Sequence, residues 1–211
     1  MTLVALGDSV TRGQTEPMLG VHAQSWAQWL AEALDLPLHN LAIDGARAPD
    51  VLARQVPRLR DEDHAVGCLW IGSNDARSLD WDPAAFERDV RSVLGALRAD
   101  RVLVATVPLD LGRPRAAPKP AEANAVLRRL AAERGALVLD LDRLAGFPLV
   151  LPDAVHLTAL GQVAVGARAA RLLGAPAAPS GLDDVLRGRR AALRLGARWA
   201  RLWTQDVRRR A

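Results

Sequence analysis

Along the first 174 residues, short apolar runs alternate with longer segments of helical pattern, and this alternation leaves the chain very few architectures. The runs cover residues 2–6, 38–42, 66–71, 102–107 and 137–141. Each has strand length and little polar interruption, the pattern of strands buried on both faces. Ser25 can cap a helix with Trp26, Trp29, Leu30 and Leu34 on one face, and Asp50 can cap the next, through Val51, Leu52 and Val56. Asp82 followed by Pro83 opens a third, to residue 98. A fourth spans 121–134 and is closed by Gly135, and Thr158 caps a fifth that stops at Gly174. Strands joined by helical crossovers must run parallel, and right-handed crossovers cover both faces. The expectation is a three-layer α/β/α domain with a flavodoxin-like, parallel five-stranded sheet in the order 2-1-3-4-5. The first strand is then central, and its carboxyl end lies at the switch point where open α/β sheets bind ligands.

Gly7-Asp8-Ser9 stands at that point. A serine hydroxyl is a weak nucleophile and needs an adjacent base, normally a histidine oriented by a carboxylate. Asp153 and His156, three residues apart, fall between the last strand and the last core helix, on the same rim as Ser9. Acyl transfer also needs donors for an oxyanion. The second strand ends at Asp44-Gly45-Ala46 and the third at Gly72-Ser73-Asn74-Asp75. Glycine lets a backbone N–H approach a ligand, and asparagine supplies an N–H that does not titrate.

These four blocks, in this order, resemble the SGNH hydrolase superfamily, the GDSL-type esterases and lipases. The resemblance covers about residues 2–174, and Val10 stands where the family's name has leucine. It implies that Ser9 is the nucleophile, His156 the general base and then acid, and Asp153 the residue that orients it. It further implies an oxyanion hole made of the Ser9 and Gly45 N–H groups and Asn74, and no cofactor. His22, His39 and His64 are scattered without ligand spacing, so no metal is indicated.

The implied activity is hydrolysis of carboxylic esters with small or medium acyl groups through an acyl-enzyme on Ser9. A carbohydrate O-deacetylase or an acyltransferase on the same site is the alternative. A non-catalytic adaptor or membrane-surface protein acting through its tail is the alternative of another class. The loops 10–24, 76–82 with Trp81, and 108–120 with Arg113, Arg115 and Lys119 should shape the pocket for a small-molecule ester.

Charge divides the chain. Residues 175–211 hold nine arginines against three aspartates, a balance of +6, while residues 1–174 carry −2. The expected organisation is a hydrolase domain over 1–174, a Pro/Ala linker over 175–181, and a basic amphipathic C-terminal helix over 182–211, separable from the chemistry. Drawn at 100° per residue, that helix places Leu182, Val185, Leu186, Leu193, Trp199, Trp203 and Val207 on one side. Docking on the domain or a second subunit is the favoured reading, ahead of an anionic membrane surface. Nucleic acid is not indicated, because the tail lacks a recognised fold for it. Cys68 is the single cysteine, which excludes an intrachain disulfide. With no signal-peptide pattern at the N-terminus and no apolar run of spanning length, the expected location is cytoplasmic.

Overall fold

A computed structural model describes residues 1–59, 64–175, 197 and 200–205. Its strands are β1 (Leu3–Gly7), β2 (Thr15–Glu16), β3 (Leu38–Asn40), β4 (His64–Trp70), β5 (Ala99–Ala105), β6 (Leu137–Leu139) and β7 (Leu157–Thr158). Its helices are α1 (Ser9–Arg12), α2 (Trp26–Ala33), α3 (Ala48–Asp50), α4 (Ser73–Arg77), α5 (Pro83–Ala96), α6 (Lys119–Arg134) and α7 (Ala159–Leu172).

Five strands form one parallel sheet in the order β3-β1-β4-β5-β6. Counted without the two-residue strands, this is the expected 2-1-3-4-5, with β1 in the interior of the sheet. Alternation along a strand explains the layers. Val4, Leu6, Leu69 and Val104 face Val90 and Val93 of α5 and Leu127 of α6. Leu3, Ala5, Cys68 and Leu103 face the other way, toward Trp26 and Leu30 of α2 and Val165 and Ala169 of α7. Burial holds the Cys68 thiol far above its ordinary range, as an inert core residue requires.

The caps at Ser25, Asp82 and Thr158 form as expected, each side chain accepting a first-turn N–H, and Gly135 takes the left-handed conformation after α6. Asp50 does not cap. The helix starts earlier, at Ala48, and the Asp50 carboxylate reaches back 3.0 Å to the N–H of Arg47. A π-helical turn, Val51–Gln55, and a 3₁₀ turn, Val56–Arg58, follow in place of a regular helix. A further element is the small parallel ribbon of β2 with β7, pairing Thr15 with Leu157 and Glu16 with Thr158.

Of the scattered histidines, His64 is buried against Thr2 Oγ1 at 2.7 Å and His22 stacks on Trp29. Most of the 175–181 linker and most of the charged tail lie outside the described residues. Residues 197 and 200–205 are helical. There the expected face is displaced: Trp203, placed on the apolar stripe, is 44% exposed, and Leu202 is the buried side chain. Among the described residues, no helix is long and apolar enough to cross a membrane.

Candidate active site

β1 must stop where its last residue meets β4. Gly7 pairs with Trp70 at a φ of +154°, and a Cβ there would overlap the Trp70 carbonyl oxygen. The chain then turns at Asp8, whose Oδ1 accepts the Val10 N–H at 3.0 Å and caps α1. Ser9 becomes the first residue of that helix, so its N–H has no intrahelical partner.

The segment between β6 and α7 folds back on itself as a short loop. The Leu151 N–H donates to the His156 carbonyl at 2.8 Å, and the Thr158 N–H donates to that of Leu149 at 2.9 Å. Asp153 turns the tip of the loop, its Oδ1 accepting the N–H groups of Val155 and His156 at 2.9 and 3.0 Å. Its Oδ2 lies 2.6 Å from His156 Nδ1, and His156 Nε2 lies 2.9 Å from Ser9 Oγ. Burial alone would raise the Asp153 carboxyl. The His156 bond and charge and the two backbone N–H groups outweigh it and hold the group below its ordinary value.

The other two sequence-selected positions share the rim. Gly45 has a φ of +72°, and a Cβ built there meets nothing within 4 Å, so its backbone borders open space. The Ile43 N–H reaches the Gly7 carbonyl at 3.2 Å, anchoring this turn to the end of β1. Asn74 Nδ2 donates to the Ala46 carbonyl at 3.1 Å, and Asp75 Oδ1 accepts the Ala48 N–H at 2.9 Å. The turn carrying Gly45 and the helix carrying Asn74 therefore brace each other. Chemically, the arrangement offers a hydroxyl beside an imidazole, a carboxylate behind it, and N–H donors nearby.

A model of the GDSL-like lipase/acylhydrolase family matches residues 5–164. The chain belongs to that family. It is an enzyme of the serine-hydrolase, esterase type. No curated protein matches it. Solved structures share the fold of this GDSL-like hydrolase at low identity. A catalytic mutant of an acetylxylan esterase from Geobacillus stearothermophilus is 18% identical over 85% of this chain and 97% of its own, with a TM-score of 0.68. An alpha/beta hydrolase from the metagenome of Lake Arreo, Spain, is 19% identical over 82% and 95%, with a TM-score of 0.66. An acetyl xylan esterase called AlAXEase is 19% identical over 80% and 98%, with a TM-score of 0.64.

Three side-chain amides that hold the segment around Ser9 in this hydrolase escaped the sequence. Gln55, fully buried on the π-helical turn, accepts the Gly7 N–H at 2.9 Å and donates to the Gly7 carbonyl at 2.8 Å. Gln162 of α7, also fully buried, accepts the Trp26 N–H at 2.7 Å and donates to the Val10 carbonyl at 3.1 Å. Asn40 at the end of β3 donates to the Thr11 carbonyl at 2.8 Å. The main chain on both sides of Ser9 is thus held from three elements. Nothing local marks these residues, because their partners lie 29 to 152 positions away.

Asp8 is the other surprise. It is 1% exposed, and among the described residues its Oδ2 has no hydrogen-bond partner. Burial pushes its carboxyl up to about 7. The Val10 N–H and His156 pull it down, and Asp75 adds to the rise. Asp75 itself is raised to about 6 by burial, against the Ala48 N–H and the Arg47 charge.

The pocket loops divide by role. Arg113 and Arg115 are paired with Asp110, and Lys119 Nζ donates to the Ser78 carbonyl at 2.8 Å, so these cations are engaged within the protein. Trp81 packs on Phe86 and donates to Glu122 at 2.7 Å. With Arg47, Asp75 and Asp80 it lines a cavity of about 130 Å³.

Proposed function

We propose that the enzyme hydrolyses short-chain, acetyl-type esters of a hydroxylated alcohol, through an acyl-enzyme on Ser9. The observation that carries the mechanism is the continuous line Ser9 Oγ–His156–Asp153, at 2.9 and 2.6 Å. His156 Nε2 takes the hydroxyl proton as Ser9 Oγ attacks the ester carbonyl carbon. The carbonyl oxygen becomes an oxyanion, and the N–H groups of Ser9 and Gly45 and the second N–H of Asn74 receive it. Asp153 keeps the Nδ1 proton in place and stabilises the imidazolium. Collapse breaks the bond to the alcohol oxygen, which leaves with the proton from His156. Water then attacks the acyl-enzyme by the same relay, returning the acid and free Ser9.

Two observations favour the hydroxylated alcohol over a lipid. The likeness to acetylxylan esterases spans more than nine-tenths of those chains. The cavity beginning one residue beyond Asn74 has an indole wall beside carboxylates and a guanidinium, which suits the apolar faces and hydroxyls of a sugar. The 1–174 segment carries all five chemical positions.

A fluorophosphonate probe should label Ser9, and Ser9→Ala should lose labelling and turnover together. A p-nitrophenyl series from acetate to palmitate, run beside acetylated xylo-oligosaccharides, should peak at acetate and release acetate from the sugar. Labelling that survives in Ser9→Ala would sink the nucleophile assignment. A peak at palmitate would replace the sugar ester with a lipid one.

A further inference from the structure

Beyond the segment matched by the family model, the chain comes back to the catalytic loop. In the helical stretch 200–205, Arg201, Trp203, Thr204 and Gln205 are exposed while Leu202 is only 9% exposed. Leu202 enters a hydrophobic cluster separate from the two main cores. Its buried partners are Met18, Ala159 and Leu160, with Leu149 and Leu151 packed against them.

These partners belong to the segments that hold the general base. Leu151 is two residues before Asp153, and its N–H donates to the His156 carbonyl at 2.8 Å. The Leu149 carbonyl accepts the Thr158 N–H from the opposite arm of the same loop. Ala159 and Leu160 open α7 directly after it. Met18 follows β2, the strand paired with β7. Val155 ties the loop to one main core and Val150 and Leu157 to the other, and the arm carrying Leu149 and Leu151 also packs on the third cluster, which Leu202 completes. Without Leu202, one side of the cluster would face water.

We propose that the helical stretch 200–205 is an intramolecular clamp on the catalytic loop, and that Leu202 is a positioning residue for His156. The proposal rests on the reading of His156 as general base. Leu202 touches neither substrate nor the reacting atoms. It acts by keeping the Leu149 and Leu151 arm seated, which keeps His156 Nε2 in reach of Ser9 Oγ. Removing it should lower the fraction of time the base spends in line, reducing kcat rather than substrate binding.

The test uses the full chain carrying Leu202→Asp, Leu202→Ala or Leu202→Met, with Gln205→Ala as an exposed control. Hydrogen exchange across residues 149–160 reads the clamp without reference to activity. Turnover of p-nitrophenyl acetate, normalised to active sites titrated by the fluorophosphonate probe, reads its consequence. Leu202→Asp should speed exchange in that segment and lower kcat per active site about tenfold, part of the roughly 10²-fold that an ångström of misplacement costs. KM should stay within about twofold, as for a change in orientation rather than in binding. Leu202→Ala should fall between, and Leu202→Met should restore wild-type behaviour. Unchanged exchange in both Leu202→Asp and Leu202→Ala would overturn the clamp. Faster exchange with unchanged kcat per site would overturn the positioning role. Separately, full turnover in His156→Ala would overturn the base assignment while leaving the exchange result standing.

Discussion

Replacing Asp8 with asparagine should remove much of the pH dependence of stability between pH 5 and pH 8. The carboxyl has an ordinary value of 3.8 and is raised to about 7 in the folded chain. A raised acid favours folding while protonated. Its contribution is fully present below the unfolded value and is lost as pH rises through the folded one. The gap of about three pH units corresponds to about 4 kcal/mol in all, of which about 3 kcal/mol falls between pH 5 and pH 8. Asparagine imitates the neutral carboxyl, and its Oδ1 can keep the 3.0 Å bond from Val10. Its amide adds a donor where Oδ2 had no partner, a pH-independent cost of about 1–3 kcal/mol. The two stability curves should therefore cross, with the wild type ahead at pH 5 and the variant level or ahead at pH 8. Asp75, raised to about 6, supplies a residual slope in the variant, and His156 is the opposing charge near Asp8. Urea denaturation at pH 5, 6, 7 and 8, with m-values checked for constancy, measures the difference. Parallel curves for the two proteins would refute the reasoning, because they would mean that Asp8 ionises at the same pH folded and unfolded.

Two further outcomes follow from the same geometry. Asn74→Ala should lower kcat by about 10²–10³ with little change in KM, as losing one oxyanion donor does; steady-state kinetics with unchanged kcat would leave Asn74 only its bond to the Ala46 carbonyl. Gln55→Leu orphans the buried Gly7 N–H, while the Gly7 carbonyl retains Ile43. It should cost about 1–3 kcal/mol in urea denaturation, and a stability equal to wild type would show that the amide carries no net weight.

How much of this was legible in the sequence depends on the distance over which each signal acts. The strand ending in Gly7-Asp8-Ser9, the caps at Ser25, Asp82 and Thr158, and the Asp153–His156 spacing are local, and each could be read from a few neighbours. The three layers followed from crossover handedness, which is nearly universal, and the strand order from the flavodoxin-like pattern of five strands. Asp50 misled because its carboxylate bonds Arg47 in the preceding turn, so the helix begins before it. The β2–β7 ribbon joins two-residue strands 142 positions apart and leaves no periodic trace. Gln55 and Gln162 look like ordinary polar helical residues until the opposite end of the chain supplies Gly7 and Val10. At Trp203, the stripe drawn at 100° per residue from Leu182 predicts a buried side chain, and the indole is 44% exposed.

The amides that hold Gly7, Val10 and Thr11 carry a consequence for how such an enzyme ages. Each donates one N–H to a main-chain carbonyl within two residues of Ser9. Deamidation replaces that donor with a carboxylate oxygen, turning an attraction into a repulsion between two oxygens, inside the protein for Gln55 and Gln162. Asparagine and glutamine are among the residues that heat degrades first. Slow chemical damage at positions 40, 55 or 162 could thus silence an enzyme whose Ser9, His156 and Asp153 are all intact. The burial of Gln55 and Gln162, and the two bonds holding each, are what withhold water and freedom from that reaction.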